Sequence, residues 1–119
     1  MIIHQITPCP KPRMTQRDKW KKRPSVLRYR AFCDEVRARG VVIPEYPAFR
    51  FVLPMPKSWS QKKQAEMDGT PHKQRPDLDN LVKALFDAVY AEDAHMHCFY
   101  AEKRWGRSGQ IWIDEVLSL

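Results

Sequence analysis

The chain has 119 residues, with 21 Lys and Arg against 14 Asp and Glu and a formal net charge of +7. That length supports one core and a single domain over residues 1–119, and no apolar run approaches the roughly 18 residues of a membrane span. The opening Met1-Ile-Ile-His-Gln-Ile has no basic region ahead of an apolar block, so no signal peptide is expected. Cys9, Cys33 and Cys98 are odd in number and lack CxxC spacing. They are expected to be structural thiols in a reducing, cytoplasmic setting rather than disulfide partners or zinc ligands.

In chain order, Ile2 to Ile6 reads as a short strand closed by Pro8, Pro10 and Pro12. The segment from Lys11 to Arg23 carries seven basic residues against one acid, Asp18, with Trp20 among them, and reads as an exposed basic arm over 11–24. Such an arm can contact phosphates while the indole stacks on a base. Ser25 suits an N-cap, Val26, Tyr29, Cys33 and Val36 recur at helical spacing, and Gly40 suits the C′ position, so a helix is expected over 25–39.

Ala48 to Leu53 reads as a strand ended by Pro54 and Pro56, and Ser58 to Met67 as a short polar helix stopped by Gly69. Thr70 to Pro76 reads as a proline-bounded basic loop within a basic region over 57–76. The strongest amphipathic helix covers about 80–91, with Leu81, Val82, Leu85, Ala88 and Val89 on one face. Strands are expected at 96–103 and 110–116, with Gly106 and Gly109 suggesting a hairpin between them. The fold class is α+β, a mixed sheet of about four strands packed with two or three helices.

Charge is segregated along the chain. Residues 1–75 hold 17 Lys/Arg against 6 Asp/Glu, whereas residues 76–119 hold 4 against 8. The first part would attract phosphate, and the second holds a carboxylate cluster: Asp77 and Asp79 before the strong helix, Asp87 within it, Glu92 and Asp93 after it. Two carboxylates ~4 Å apart repel by roughly 4 kcal/mol at an effective dielectric of ~20, and a divalent cation between them reverses the sign. A hard cation such as Mg²⁺ is the natural occupant.

Spacing constrains how these groups meet. Residues i and i+2 inside a helix point about 200° apart, so a shared ion requires the helix to begin at or after Asp79, with Asp79 as N-cap. Lys83 lies four residues beyond Asp79 and four before Asp87, on one helix face. It could steady Asp79 or neutralise charge on a reacting phosphate, while Asp87 reads either as a further carboxylate of the site or as a helical salt-bridge partner of Lys83. His95 and His97 fall on one side of the expected strand and read either as a surface pair or as ligands. No P-loop, dinucleotide turn or Ser-His-Asp arrangement occurs, so no organic cofactor is expected.

The run Arg75-Pro-Asp77-Leu-Asp79-Asn80-Leu-Val-Lys83-Ala-Leu-Phe-Asp87, followed by Glu92-Asp93, resembles the motif of the RusA family of Holliday-junction resolvases, many of them encoded by phages. Pro54-Met-Pro-Lys57-Ser-Trp-Ser-Gln-Lys-Lys and Pro10-Lys-Pro-Arg-Met are similar to the phage-type branch, so the resemblance covers most of the chain. It implies a homodimeric, Mg²⁺-dependent endonuclease (Mn²⁺ being a possible substitute) that acts on four-way junction DNA in recombination and repair. It also implies catalytic metal ligands at Asp77, Asp79 and Asp93 and an essential lysine at Lys83. Where the family often has two consecutive aspartates this chain has Glu92-Asp93, and Asp93 is retained as the ligand.

DNA contacts are expected from Lys11, Arg13, Arg17, Lys19, Trp20, Lys21, Lys22 and Arg23 in the arm, and from Lys62, Lys63, Lys73 and Arg75 in the second basic region. Two other readings stand beside this one. The chain could be a non-catalytic branched-DNA-binding module whose aspartates only cap a helix, or a metal-dependent fork or flap nickase.

Overall fold

The computed structural model describes residues 1–13 and 23–116, arranged as a four-stranded mixed sheet with three helices, the α+β class expected. The strands are β1 (Ile2–His4), β2 (Pro47–Pro54), β3 (Tyr100–Gly106) and β4 (Gln110–Glu115), in spatial order β1-β4-β2-β3. Helices α1 (Pro24–Ala38), α2 (Gln61–Met67) and α3 (Leu78–Val89) complete the fold. Among the described residues no helix is long and apolar enough to cross a membrane.

The core explains the arrangement. Phe49, Phe51 and Leu53 alternate along β2 and point with Ile111 and Ile113 of β4 into a cluster filled by Tyr29, Phe32 and Val36 of α1 and Leu81, Leu85 and Phe86 of α3. Each such side chain contributes about 1.5–3 kcal/mol by leaving water. The other sheet face is polar: Glu102 joins both Arg50 and Arg104, and the Arg50 guanidinium lies 4.7 Å from the centre of the Trp112 ring. The hydrogen bond from Arg104, and then those from Arg50, hold the Glu102 carboxyl below its ordinary value against the opposing effect of burial.

The expected hairpin is not formed. β2 lies between β3 and β4, pairing parallel with β3 and antiparallel with β4. Residues 107–109 step across the end of β2 instead of folding one strand onto its neighbour. Glycine is required at both ends of this step by close approach, since a Cβ on Gly106 would collide with Val52 and one on Gly109 with Thr7. The two glycines were therefore correct signs of a tight connection, but not of strand pairing across it.

Helix boundaries shift for local reasons. α1 starts at Pro24, whose ring presets the helical φ, so Arg23 takes the N-cap position and Ser25 falls inside the helix. Its end follows the sequence: Gly40 has φ 63°, and the Gly40 and Val41 amides donate to the carbonyls of Arg37 and Val36, a Schellman motif closed by buried Val36 and Val41. α2 is shorter than expected, with Ser60 accepting from the Lys63 amide as its N-cap. Part of the basic loop after it is paired with β3: Gly69, Thr70 and His72 exchange backbone bonds with Trp105 and Lys103. Trp105 is packed between Trp59 and His72, with ring centres 4.8 Å and 4.1 Å away.

β3 begins at Tyr100, so His95 and His97 do not share a strand. His95 packs edge-on against Tyr90, and His97 packs against Tyr46 with Glu45 3.7 Å from its Nε2.

Candidate active site

The largest departure near the carboxylate cluster is the start of α3. Helical backbone begins at Leu78, one residue before Asp79, because Leu78 packs against the core and adds a turn to the apolar face. Asp77, rather than Asp79, is the N-cap, with extended backbone at φ −67° and ψ 142°. Asp79 sits in the first helical turn, where its carboxylate meets the positive end of the helix dipole. The start expected for an ion shared by this pair, at or after Asp79 with Asp79 as N-cap, is therefore not what forms: Asp77 stands just outside the helix and Asp79 just inside it.

Capping does not account for Asp77. Its side chain makes no cap hydrogen bond and no ion pair among the described residues, and the residue is exposed. Asp79 Oδ1 accepts from the Asn80 amide at 2.9 Å. Lys83 is exposed and has no ion pair or hydrogen bond among the described residues. Asp87 does not pair with Lys83; its Oδ2 lies 2.7 Å from Lys11 Nζ, a contact spanning 76 residues. The Asn80 side-chain amide donates to the Lys11 carbonyl at 3.1 Å, so the base of the arm is tied to α3 at two points.

After α3, the Glu92 carboxylate accepts from the Ala94 amide at 3.0 Å, while the half-buried Asp93 carboxylate has no hydrogen-bond partner among the described residues. The 12 residues of α3 span about 18 Å, and Asp93 follows the end opposite Asp77. Among the described residues, no group of three or more Asp, Glu, His or Cys side chains is gathered to hold a metal ion.

Asp77 opens onto a cleft of about 630 Å³ between the N-terminal arm, the first turns of α1 and the start of α3. Asn80, Arg75, Lys11, Ser25 and Arg28 also line it. Arg28 and Asn80 carry no expected role from the sequence, because the nearness of Arg28 to Asp77 depends on how α1 packs beside the start of α3. Lys103 was missed altogether. Its ammonium donates to the carbonyls of Gln74 and Pro76, the latter at 2.6 Å, and so pins the segment that delivers Asp77.

Of the expected DNA contacts, Arg17, Lys19, Trp20, Lys21 and Lys22 lie outside the described residues. Arg23 donates to the Arg13 carbonyl at 2.7 Å, which closes the two ends of the arm on each other. Lys63 lies over the Trp59 ring at 4.4 Å, while Lys62, Lys73 and Arg75 are exposed.

The profile of a known family, described as endodeoxyribonuclease RusA, matches residues 5–114. The chain belongs to the RusA family of endodeoxyribonucleases. The match takes in the arm, the cleft and every carboxylate of the cluster, so the RusA motif and the exposed Asp77 lie in one matched region. No curated protein matches this RusA-family chain.

Proposed function

We propose that this chain is a Mg²⁺-dependent endonuclease that resolves four-way DNA junctions by paired symmetric nicks, acting as a homodimer in recombination and repair. The observation that carries the reading is Asp77, an uncommitted carboxylate at the mouth of a cation-lined cleft in a chain of the RusA family. A merely structural N-cap would have used that carboxylate on the amides of α3.

The donor chemistry fits Mg²⁺. That ion keeps several waters and is commonly bound by one or two carboxylates together with substrate phosphate, which Asp77 and Asp79 can supply without a third protein ligand. The family motif implies Asp93 as a further donor, but here it follows the end of α3 opposite Asp77 and is not gathered with Asp77 and Asp79 among the described residues, so the reading rests on the first two. When bound, the ion would supply Lewis acidity to a phosphodiester. Lys83, four residues beyond Asp79 and unpaired, would stabilise negative charge growing on the phosphate. Lys103 would hold the approach to Asp77 rigid, and the basic segments would follow the duplex backbones. A two-fold dimer matches two equivalent strands of a junction by symmetry. Free Cys9, Cys33 and Cys98 are compatible with action in the cytoplasm.

The test is incubation with labelled four-way junctions, forks and linear duplex, with and without Mg²⁺. Paired nicks on the junction alone are expected. Equal cutting of linear duplex would refute junction selectivity, fork cutting alone would favour a fork nickase, and tight junction binding with no cutting would leave a DNA-binding module.

A further inference from the structure

We propose that the cleft beside Asp77 is a phosphate subsite in which Arg28 grips the phosphodiester flanking the cut, an inference that rests on Asp77 marking the cleavage position. The cleft brings Arg28 from α1, Arg75 from the loop before α3 and Lys11 from the arm to the same opening as the Asp77 carboxylate. These cations are not equivalent. Lys11 is held by Asp87 at 2.7 Å, which neutralises most of its charge locally. Arg28 and Arg75 are both exposed, with neither an ion pair nor a side-chain hydrogen bond among the described residues. Arg75, however, lies two residues from Asp77 on the same segment, whereas Arg28 comes from a separate helix and can hold a phosphate apart from the one at Asp77. The Asn80 side-chain amide is likewise occupied by the Lys11 carbonyl, so Lys11 is held on α3 at the opening that Arg28 also lines.

A lone carboxylate in an open cleft repels phosphate. A free guanidinium lining the same opening offsets that repulsion and presents two parallel N–H groups matched to a phosphate's oxygens. The volume of about 630 Å³ lies within the range of small-ligand pockets and accommodates a nucleotide unit. Arg28 thereby sets the register of the strand: one phosphate on Arg28, the next at Asp77. Arg30, two residues away on the same helix, is exposed but does not line the cleft, and it is the natural control.

Junction binding by the full chain, measured in EDTA over a range of salt concentrations, reads the subsite without requiring cleavage. Arg28→Gln should lower the salt slope by about one phosphate contact per protomer, while Arg30→Gln should leave it closer to wild type. A junction with a neutral methylphosphonate flanking the cut should weaken wild-type binding as much as Arg28→Gln does, and Arg28→Gln should be blind to that change. Arg28→Lys should restore the slope but not the single-turnover rate in Mg²⁺, because a point charge cannot fix register as a fork does. An unchanged slope for Arg28→Gln, an equal drop for Arg30→Gln, or a full methylphosphonate penalty in Arg28→Gln would each overturn the subsite. If wild type cuts junctions while Arg28→Gln is unaltered, the subsite fails and the nuclease reading survives. If wild type binds with the Arg28 signature but never cuts, the nuclease reading and the register role fail together and only the Arg28 phosphate contact stands.

Discussion

At its C-terminal end α3 holds Asp87 2.7 Å from Lys11 and passes the carbonyls of Ala88 and Asp87 to the Arg37 guanidinium of α1, at 2.9 Å and 3.4 Å. At its N-terminal end the same helix leaves Asp77 without a side-chain partner among the described residues, in an open cleft, on a loop that Lys103 pins. One end uses its charge to join the arm, α1 and α3. The other keeps its charge available and takes its rigidity from neighbours. Carboxylates of one motif thus divide into paired and unpaired groups among the described residues, and tertiary contacts rather than sequence position separate them.

Breaking the free end should have the largest effect. Asp77→Asn is expected to lower Mg²⁺-dependent junction cleavage by about 100-fold or more while leaving junction binding and the urea midpoint unchanged, since an exposed substitution shifts stability by no more than about 0.5 kcal/mol. Near-normal cutting by that variant would remove Asp77 from the site.

Lys103→Met tests whether the free end depends on its brace. Loss of the ammonium removes the donor to the Gln74 and Pro76 carbonyls, one exposed and one half-buried, at a cost of about 0.5–1.5 kcal/mol in urea unfolding. Cleavage should fall further than binding does, and an equal loss of both would count against a positioning role.

The structural end predicts the reverse pattern. Asp87→Asn should cost about 0.5–1 kcal/mol, because the Asp87 and Lys11 side chains are 26% and 32% exposed and solvent screens the pair. Cleavage per folded molecule should stay near wild type; a collapse in activity without a loss of stability would place Asp87 in the chemistry and erase the contrast between the two ends.

The smallest effect concerns pH. His72 Nδ1 and His4 Nε2 are buried without hydrogen-bond partners among the described residues. Burial, reinforced by Lys103 for His72 and by Arg39 for His4, holds both imidazoles below their ordinary value of 6.5. The unfolded chain therefore binds more protons than the native one below that value, and stability should fall as pH drops from about 7.5 to about 5. The double variant His4→Gln/His72→Gln should flatten this dependence in thermal melts, and an unaltered slope would show that other groups control it.

Much of the architecture was legible in the residues. The helical spacing of Val26, Tyr29, Cys33 and Val36, the Gly40 terminus and the apolar face of α3 all report on neighbours within a few positions, and the structure reproduces them. The expected α3 start at about residue 80 is two residues late because Asp79 suits an N-cap, whereas the contact of Leu78 with the core makes Leu78 the first helical residue. The hairpin failed because Gly106 and Gly109 signal a close approach without saying which strand is approached.

By itself the sequence determined the α+β composition, the segregation of charge and the DLDN-centred motif that places the chain in its family, since each depends on local periodicity or on residue identity. Only the tertiary structure decided that β2 separates β3 from β4, that Lys11 rather than Lys83 holds Asp87, that Lys103 braces the approach to Asp77, and that Arg28 lines the same cleft as Asp77. Those contacts join segments tens of residues apart, and a charged side chain does not encode its partner locally. The partner is chosen by which surfaces the packed core brings within a few ångströms.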